Sequence, residues 1–363
     1  MHPTDALQAP SHPDPYPWYR LQARGGPVQH DTGLDMWLVW SADAQREALA
    51  HPGLRVRPPA EAVPRLLQGR PLGDWFAQLV RMNDGPARHA APKAALHQAL
   101  TAMSDAQVGR CVDHAATALT GASWSRWAAE LPVRTVAGLL GFETAAHADV
   151  VRWVDAMLAA LPPSADEATR ERGDQAAAAL VGALAALTAR SPLRTPSMAA
   201  TCRQAGLDDP ALSANLAGLL TQTCEATAGL LGNAVVALAK GAPVDDLPAL
   251  VERVMRDDPP VHNTRRFAAQ AVSLAGVAVP AGAALLVMLG AAETGVAEAP
   301  TGGPRPGHGL GFGAGPHACP GAMLARRIAV AALTRRLATG APAWPATWHY
   351  RPLVNARVPV FTA

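Results

Sequence analysis

The chain has 363 residues, 49% of them hydrophobic, so it can bury a large core. Its formal net charge of +2 gives no reason to expect a nucleic-acid partner. No run of 18 apolar residues is present, and residues 1–17 lack the charged-then-apolar layout of a signal peptide. Four widely spaced cysteines suit a reducing compartment, so we expect a soluble, cytoplasmic protein without a membrane partner.

The apolar periodicity predicts a mainly α-helical protein with small β-sheets, because alanine favours helices and 33 prolines interrupt them. Strands are predicted at 28–31, 36–40, 268–278 and 284–289. Helices are predicted at 43–51, 90–103, 106–120, 131–141, 145–161, 166–189, 210–240, 247–257 and 322–337. Residues 298–309 are rich in Gly and Pro and are predicted to form a loop. No linker is evident, and we expect one large domain spanning residues 1–363.

The most specific motif is FGAGPHACPG at residues 312–321. It places Cys319 in a glycine-rich turn directly before a predicted helix. A thiolate in such a turn can ligate haem iron, while nearby backbone N–H groups hydrogen-bond its sulfur and tune the iron. Glycine lets the backbone approach a flat macrocycle without strain, and His317 can reach a carboxylate at its edge. The motif therefore indicates a haem-thiolate site.

Two other interpretations of this loop fail on spacing. A dinucleotide-binding fingerprint needs G-x-G-x-x-G, but counting from Gly309 or Gly311 the sixth residue is Ala314 or Pro316. A zinc or iron–sulfur site needs cysteines in closely spaced pairs, and this chain has no C-x-x-C.

The order F-G-x-G-x-H-x-C-x-G resembles the cysteine loop of the cytochromes P450, of the bacterial, soluble type. Similar segments extend nearly end to end, at 14–19, 83–86, 131–141, 221–233, 257–261 and 266–282. The resemblance implies the family's mostly helical, single-domain fold and haem b as cofactor. It also implies that Cys319 ligates the iron and that Phe312, Gly313 and Gly321 help to form the haem-binding loop.

The resemblance further implies which basic residues bind the two haem propionates, which are carboxylates. His89 and Lys93 match the family's H-x-x-x-R pair, with Lys in place of Arg. Lys makes a point contact where Arg would form a fork. Residues 257–261 resemble the end of the family's K helix. Arg266 matches the arginine that follows that helix, and His317 is the basic residue before the cysteine.

Residues 221–233 are similar to the family's I helix, but they depart from its pattern of an acid followed by threonine, which together deliver protons to the oxygen site. Glu225 supplies the acid, but Ala226 replaces the threonine, and a methyl group cannot relay a proton. Thr227 lies about 100° further round the helix. Gln222 and Thr223 share the face of Ala226, so the catalytic candidates are Glu225, Gln222 and Thr223. The alternative for Gln222 is that it only packs or binds backbone.

Two further departures concern the K helix and the region after it. Arg256 matches the arginine of the family's E-x-x-R, but Arg253 occupies the glutamate position. Glu252 lies four residues before Arg256, so the bridge has either moved by one position or is absent. The chain between 289 and 310 is shorter than in the family, and Arg305 is the only local candidate to complete an arginine network there.

Several residues match positions that line the substrate pocket in the family. Most of these residues are apolar, which suggests a pocket for a mainly apolar small molecule that carries a polar group. The candidate substrate contacts are Leu219, Ala226, Val261, His262, Asn263 and Val354.

The resemblance implies a monomeric haem-thiolate monooxygenase that oxidises a small organic molecule in specialised metabolism. Electrons would come from NAD(P)H through a ferredoxin or a flavin-type donor. Ala226 leaves open a peroxide-using or non-oxygenating haem-thiolate enzyme. The motif losses on the I and K helices leave open a third possibility, a catalytically silent haem- or ligand-binding paralogue.

Overall fold

A computed structural model provides the fold and describes residues 2–190, 198–204, 206–291, 309–338, 340 and 343–362. The described residues are mostly helical with small sheets, which confirms the predicted fold class. The α-helices are α1 Tyr16–Ala23, α2 Ala42–Ala50, α3 Pro71–Gln78, α4 Ala91–Thr101, α5 Asp105–Ala118, α6 Trp124–Leu140, α7 His147–Ala160, α8 Glu167–Arg190, α9 Met198–Gln204, α10 Asp209–Ala239, α11 Leu247–Asp257 and α12 Ala322–Leu337.

The strands form one five-stranded sheet and two hairpins. They are β1 Val28–Asp31, β2 Met36–Val39, β3 Leu54–Arg55, β4 Thr264–Ala268, β5 Val272–Leu274, β6 Val277–Val279, β7 Ala284–Val287, β8 Thr347–Tyr350 and β9 Pro359–Thr362. The sheet has the order β1-β2-β7-β4-β3, in which only the β2–β7 pair is parallel. Strands β5–β6 and β8–β9 form the two antiparallel hairpins.

The predicted strand at 268–278 is wrong in its bounds. Strand β4 ends at Ala268, and the rest of the segment forms the separate β5–β6 hairpin. Ala275 and Gly276 have φ of 48° and 79°, which is the left-handed conformation of a two-residue hairpin turn. An alanine in this position gives no turn signal in the sequence, so the break was missed. Most of the predicted loop 298–309, including Arg305, lies outside the described residues.

Helix α6 begins seven residues before its predicted start at 131. The predicted start is too late because it relied on Pro132, and a proline, which lacks an N–H group, usually marks the start of a helix. The helix nevertheless continues through Pro132, because Ser123 caps an earlier start by accepting a hydrogen bond from the Arg126 N–H at 3.3 Å.

Helix α10 crosses the main hydrophobic cluster, to which helices from α3 to α12 contribute. Asp208 caps its start by accepting a hydrogen bond from the Ala211 N–H at 2.8 Å. Its apolar residues are buried on most sides, which explains why this helix shows a long continuous pattern in the sequence. None of the helices within the described ranges combines the length and hydropathy that a membrane crossing requires.

Two glycines of α10 let the C-terminal segment pack directly on this helix. A Cβ at Gly229 would lie 2.7 Å from Pro260 Cβ, and one at Gly232 would lie 2.6 Å from Pro359 Cγ. Such distances are too short for carbon atoms, so only glycine fits at either position. The β8–β9 hairpin is thereby held close to the middle of α10.

A buried ion pair joins both ends of the chain to the end of α11. Arg357 Nε lies 2.7 Å from Asp258 Oδ1, and the Arg357 guanidinium stacks 3.4 Å from the Tyr350 ring centroid. The Tyr16 hydroxyl also donates to Asp258. The remaining guanidinium N–H groups donate to the backbone carbonyls of Pro10, His12 and Pro13.

The structure gives each member of the predicted Glu252–Arg256 pair another charged partner. Glu252 Oε1 lies 2.5 Å from Arg326 Nε, and Arg256 forks onto its neighbour Asp257 at 2.8 and 3.0 Å. A direct Glu252–Arg256 bridge therefore remains a prediction. The contact with Arg326 ties α11 to α12, the helix that follows the cysteine turn.

Replacing Arg357 with Met should lower the free energy of unfolding by about 3 kcal/mol, because Asp258 would stay largely buried without its partner. Urea unfolding of the purified protein measures the change. The control is Arg46→Met, which removes an exposed ion pair with Asp43 and should cost less than about 1 kcal/mol. Equal unfolding midpoints for the two variants would contradict the importance of the buried pair.

Candidate functional site

The turn that carries Cys319 is closed by backbone hydrogen bonds. The Cys319 N–H donates to the Phe312 carbonyl at 2.9 Å, and the Gly313 N–H donates to the Leu310 carbonyl at 2.7 Å. Gly313 and Gly315 have φ of 69° and 66°, which glycine adopts at little cost. A Cβ at Gly315 would lie 3.0 Å from the Leu49 carbonyl of α2, so the turn packs closely on that helix.

Phe312 connects this turn to α12. The guanidinium carbon of Arg326 lies 4.4 Å from the centroid of the Phe312 ring, a cation–π contact. Because Arg326 also pairs with Glu252, the Phe312 ring is held between the turn and the α11–α12 contact. The placement of Phe312, Gly313 and Gly321 around Cys319 agrees with a rigid ligand turn.

Cys319 is the one exposed thiol among the four free cysteines, all of which lie in described segments. Burial raises the pKa of the Cys319 thiol, whereas the Gly321 N–H and the nearby cations Arg81, Lys93 and Arg326 lower it. A bound metal ion deprotonates such a thiol outright, so these neighbours would then stabilise the thiolate.

The four predicted propionate-binding residues lie near one another beside the turn. The His89 and His317 rings stack with centroids 3.8 Å apart, and Lys93 Nζ donates to the Pro316 carbonyl. Arg266 is 5% exposed on β4. Burial lowers the pKa of Arg266 to about 10, and the charge of nearby Asp84 opposes this shift.

Asp84 is an acid within this basic cluster. Its Oδ1 lies 3.1 Å from His317 Nε2, and its Oδ2 accepts a hydrogen bond from the Val56 N–H at 3.3 Å. Burial opposes ionisation, but these two hydrogen bonds hold the pKa of Asp84 below its usual value. Asp84 therefore fixes His317 in place as an ionised partner.

His89 is neutral at ordinary pH. Burial, together with the charges of His317, Lys93 and Arg266, lowers the pKa of His89 to about 4. A neutral imidazole can donate one N–H to a carboxylate but brings no positive charge. The positive charge in this cluster therefore comes mainly from Lys93 and Arg266.

The donor set fits a haem. One exposed soft sulfur ligand and a basic cluster suited to two carboxylates lie at the same turn. Among the described residues no group of three His, Cys, Asp or Glu side chains could hold a metal ion, so a multidentate protein site has no basis there. Cys319 would ligate the iron, while Arg266, Lys93, His89 and His317 would hold the propionates.

One face of α10 is partly exposed, although the helix is otherwise mostly buried. Gln222, Thr223 and Ala226 are half-buried, as is Leu219 one turn earlier. Thr227 is 4% exposed and lies on another face. The face that the sequence predicted for Gln222, Thr223 and Ala226 is therefore present, and Thr227 does not replace the missing hydroxyl.

Gln222 uses one amide N–H on its own helix, donating to the Gly218 carbonyl at 2.8 Å. This contact agrees with the alternative in which the side chain binds backbone. The role of Gln222 in proton delivery remains a prediction.

Glu225 is held by an arginine from the C-terminal segment. Arg351 Nη2 lies 3.9 Å from Glu225 Oε1. Burial raises the pKa of Glu225, while the charges of Arg351 and Arg81 lower it. A carboxyl group with a raised pKa can hold and release a proton closer to neutral pH, as a general acid requires.

The predicted substrate contacts after α11 separate into two groups. Val261 forms a β-bridge with Ala356, and Asn263 Nδ2 donates to the Val354 carbonyl at 2.7 Å, so these residues meet the C-terminal segment. His262 is fully buried, and its Nδ1 lies 2.8 Å from the Tyr19 hydroxyl. The structure thus places His262 in the N-terminal core rather than on an open pocket wall.

Sequence analysis missed three residues of the site: Arg81, Asp84 and Arg351. Asp84 lies in a segment that resembles the family, but its acidic side chain gave no reason to expect it beside propionates. Arg351 and Glu225 are more than a hundred residues apart, and only the packing of the C-terminal hairpin on α10 joins them. No local pattern marks Arg81.

Comparison with known proteins identifies relatives along most of the chain. PikC, a cytochrome P450 monooxygenase of Streptomyces venezuelae, is 29% identical over 388 residues, which cover 94% of this chain and 89% of PikC. The 6-deoxyerythronolide B hydroxylase of Saccharopolyspora erythraea is 29% identical and covers 85% of both chains. Cytochrome P450 144 of Mycobacterium tuberculosis is 28% identical and covers 86% of this chain and 80% of its own. No protein-family model matches.

Solved structures share the fold. P450BioI, in complex with an acyl carrier protein ligated to hexadec-9Z-enoic acid, has a TM-score of 0.79 at 20% identity, over 96% of this chain and 99% of its own. CalO2 has a TM-score of 0.78 at 22% identity, over 100% and 99%. The chain is therefore similar to cytochromes P450 both in sequence and in fold. The complete cysteine motif and the exposed Cys319 thiol agree with that similarity.

Replacing Arg266 with Ala should weaken haem retention by about tenfold or more, because a buried guanidinium makes directed, charged hydrogen bonds to a carboxylate. Lys93→Ala should have a smaller effect, because Lys makes a point contact and is already bonded to the Pro316 carbonyl. Transfer of haem to an excess of apomyoglobin measures both. Equal transfer rates in wild type and Arg266→Ala would remove Arg266 from the haem site.

Proposed function

We propose that this protein is a cytochrome P450 and acts as a haem-b-dependent monooxygenase that oxidises a small organic molecule in specialised metabolism. The observation that carries the proposal is the exposed Cys319 thiol in its closed turn, which lies with the basic cluster of His89, Lys93 and His317. Two relatives are named as a monooxygenase and a hydroxylase, which supports the same reaction class.

When bound, the haem supplies the oxidation chemistry, which consumes O₂ and two electrons. Cys319 holds the iron, and the Gly321 N–H stabilises the negative charge on its sulfur. Arg266 and Lys93 neutralise the propionates, while His89 and His317 each offer an N–H group. Asp84 orients His317 through their 3.1 Å contact.

In this proposal, Glu225 delivers the protons. Its raised pKa and its position beside Ala226 suit an acid that passes protons toward the site of oxidation. Arg351 positions the Glu225 carboxylate from the C-terminal segment. Because Ala226 offers no hydroxyl, the final transfer requires water, the substrate, or the polar side chains of Gln222 and Thr223 on the same face.

The electron donor in this proposal is a ferredoxin or a flavin-type protein that draws on NAD(P)H, and the enzyme acts as a monomer. The substrate meets Leu219 and Ala226 on α10 and the segment formed by Val261 and Val354, whereas Asn263 is buried and supports Val354 through its hydrogen bond. These surfaces are mainly apolar, which suits a hydrophobic molecule with a few polar groups.

A peroxide-using haem-thiolate enzyme is the second candidate, and Ala226 is the observation that favours it. Peroxide brings its own electrons and protons, so an enzyme that uses it has less need of a hydroxyl at this position. The two candidates predict different effects of restoring that hydroxyl.

Ala226→Thr should raise the fraction of consumed NADPH that yields product, because it restores a proton-relaying hydroxyl beside Glu225. The assay uses the haem-loaded enzyme, ferredoxin, ferredoxin reductase and the compound that gives the largest spectral shift in a binding screen.

Glu225→Gln should slow the same reaction by about 10²-fold, the lower end of general acid catalysis.

Ala226→Ser is the matched control, because it restores a hydroxyl without the additional methyl group. If wild type reacts only with peroxide and neither variant gains activity with O₂, the peroxide-using function replaces the monooxygenase. If Glu225→Gln retains wild-type rate and coupling, Glu225 is not the proton donor.

A further inference from the structure

A second pocket lies at the β1 edge of the five-stranded sheet and shares no lining residue with the site at Cys319. Its volume is about 460 Å³. Pockets that hold small molecules measure about 300–1,000 Å³. One wall is the β1–β2 hairpin with His30, Asp35 and Trp37, and the other is the turn before β7, residues 280–284.

Strand pairing explains why these two walls meet. His30 and Trp37 are directly opposite each other in the antiparallel β1–β2 pair, and their ring centroids lie 5.1 Å apart. Strand β2 runs parallel to β7, with Trp37 opposite Leu285. In a parallel pair the segments that precede the two strands lie at the same end of the sheet. The turn that carries Asp35 therefore lies next to residues 280–284.

The turn before β7 leaves the space between the walls unfilled. Residues 280–284 are one proline, three alanines and one glycine. Gly282 has a φ of 82°, and a Cβ at this position would meet no atom within 4 Å. The turn is fixed, because the Gly282 N–H donates to the Ala268 carbonyl at 2.8 Å and the Ala268 N–H donates to the Ala283 carbonyl at 2.9 Å.

Asp35 gives the pocket a negative charge. Its Oδ1 lies 3.3 Å from His30 Nε2, and its side chain is 94% exposed, so the carboxylate is accessible to a ligand. None of the described residues that line the pocket is a lysine or an arginine. The hairpin turn is held by Asp31, whose Oδ1 accepts hydrogen bonds from the N–H groups of Gly33 and Leu34 at 2.9 and 3.0 Å.

We propose that this pocket binds an organic ammonium ion that carries an aromatic group. The Asp35 carboxylate pairs with the ammonium charge, and the half-buried Trp37 ring attracts the same cation through its π face. The small residues of the facing turn leave room for the aromatic group. An anion would meet the Asp35 charge without a lysine or arginine to offset it, so the charges favour a cation.

The test uses benzyltrimethylammonium and, as a neutral molecule of similar size, N,N-dimethyl-2-phenylacetamide. A quaternary ammonium ion has no lone pair with which to ligate iron, so its binding can be separated from binding at the haem. Calorimetry of the haem-loaded enzyme at low ionic strength gives both affinities, because salt screens an exposed charge. The Soret absorption of the haem is recorded in the same titrations.

Three variants alter the pocket in different ways. Asp35→Asn removes the charge, Trp37→Leu removes the indole ring, and Ala281→Phe fills the space from an exposed position. The matched controls are Asp43→Asn, an exposed acid on α2, and Ala278→Phe, an exposed alanine on β6, neither of which lines the pocket. Asp35→Asn and Ala281→Phe change exposed side chains, so they keep the test decisive if Trp37→Leu fails to fold.

Wild type and both controls should bind the cation more tightly than the amide, without a shift of the Soret band. Asp35→Asn and Trp37→Leu should each weaken binding of the cation by about threefold to fivefold, as expected for an exposed ion pair and an exposed cation–π contact. Ala281→Phe should weaken it at least as much, because the added ring occupies the pocket.

Equal affinities of wild type for the cation and the amide would overturn the inference, as would undiminished binding in both Asp35→Asn and Ala281→Phe. An equal loss in Asp43→Asn and Asp35→Asn would show that only the net charge of the protein matters, which also contradicts it. If the cation shifts the Soret band and binds the three pocket variants as tightly as wild type, it occupies the haem site and the assignment to this pocket is wrong.

Discussion

The hydrogen bond from the Cys319 N–H to the Phe312 carbonyl closes the turn on which the site depends. It forces the chain back on itself between two glycines with positive φ, so that a single thiol emerges beside a cluster of basic side chains. The turn is held from outside by α2, which meets Gly315, and by Arg326, which covers Phe312. A ligand sulfur fixed in this way needs little reorganisation when iron binds.

Helix α10 is part of the hydrophobic core and also carries the proposed catalytic residues. Most of its surface is buried, yet one face with Leu219, Gln222, Thr223 and Ala226 stays partly open. The glycines at 229 and 232 allow the C-terminal segment to pack against the same helix, which places Arg351 next to Glu225. The surroundings of Glu225, the proposed proton donor, thus depend on packing of a segment that is far from it in sequence.

The buried Asp258–Arg357 pair and the Glu252–Arg326 contact join parts of the chain that are far apart in sequence. Arg253 stands where the family has glutamate, and Glu252 reaches Arg326 of α12. Meanwhile Arg357 ties the N-terminal carbonyls, the end of α11 and the C-terminal segment into one network.

The sequence predicted what depends on local pattern and motif. Long apolar periodicity located α10 and α11 closely, and the ten-residue motif located Cys319 and its turn. It failed where structure depends on distant packing: His262 turned out to contact Tyr19, and Arg81, Asp84 and Arg351 carried no local signal. The start of α6 and the β5–β6 turn failed because Pro132 and Ala275 adopt roles that their residue types disfavour.

The most direct measurement is the spectrum of the reduced protein with carbon monoxide, in wild type, Cys319→Ser and Cys111→Ser. The account predicts one haem per chain and a thiolate-type spectrum in wild type and in the control Cys111→Ser, whose cysteine lies away from the turn. Cys319→Ser should lose the thiolate-type spectrum. A stoichiometric haem with an unchanged spectrum in Cys319→Ser would contradict the account, because the iron would then be held by another residue.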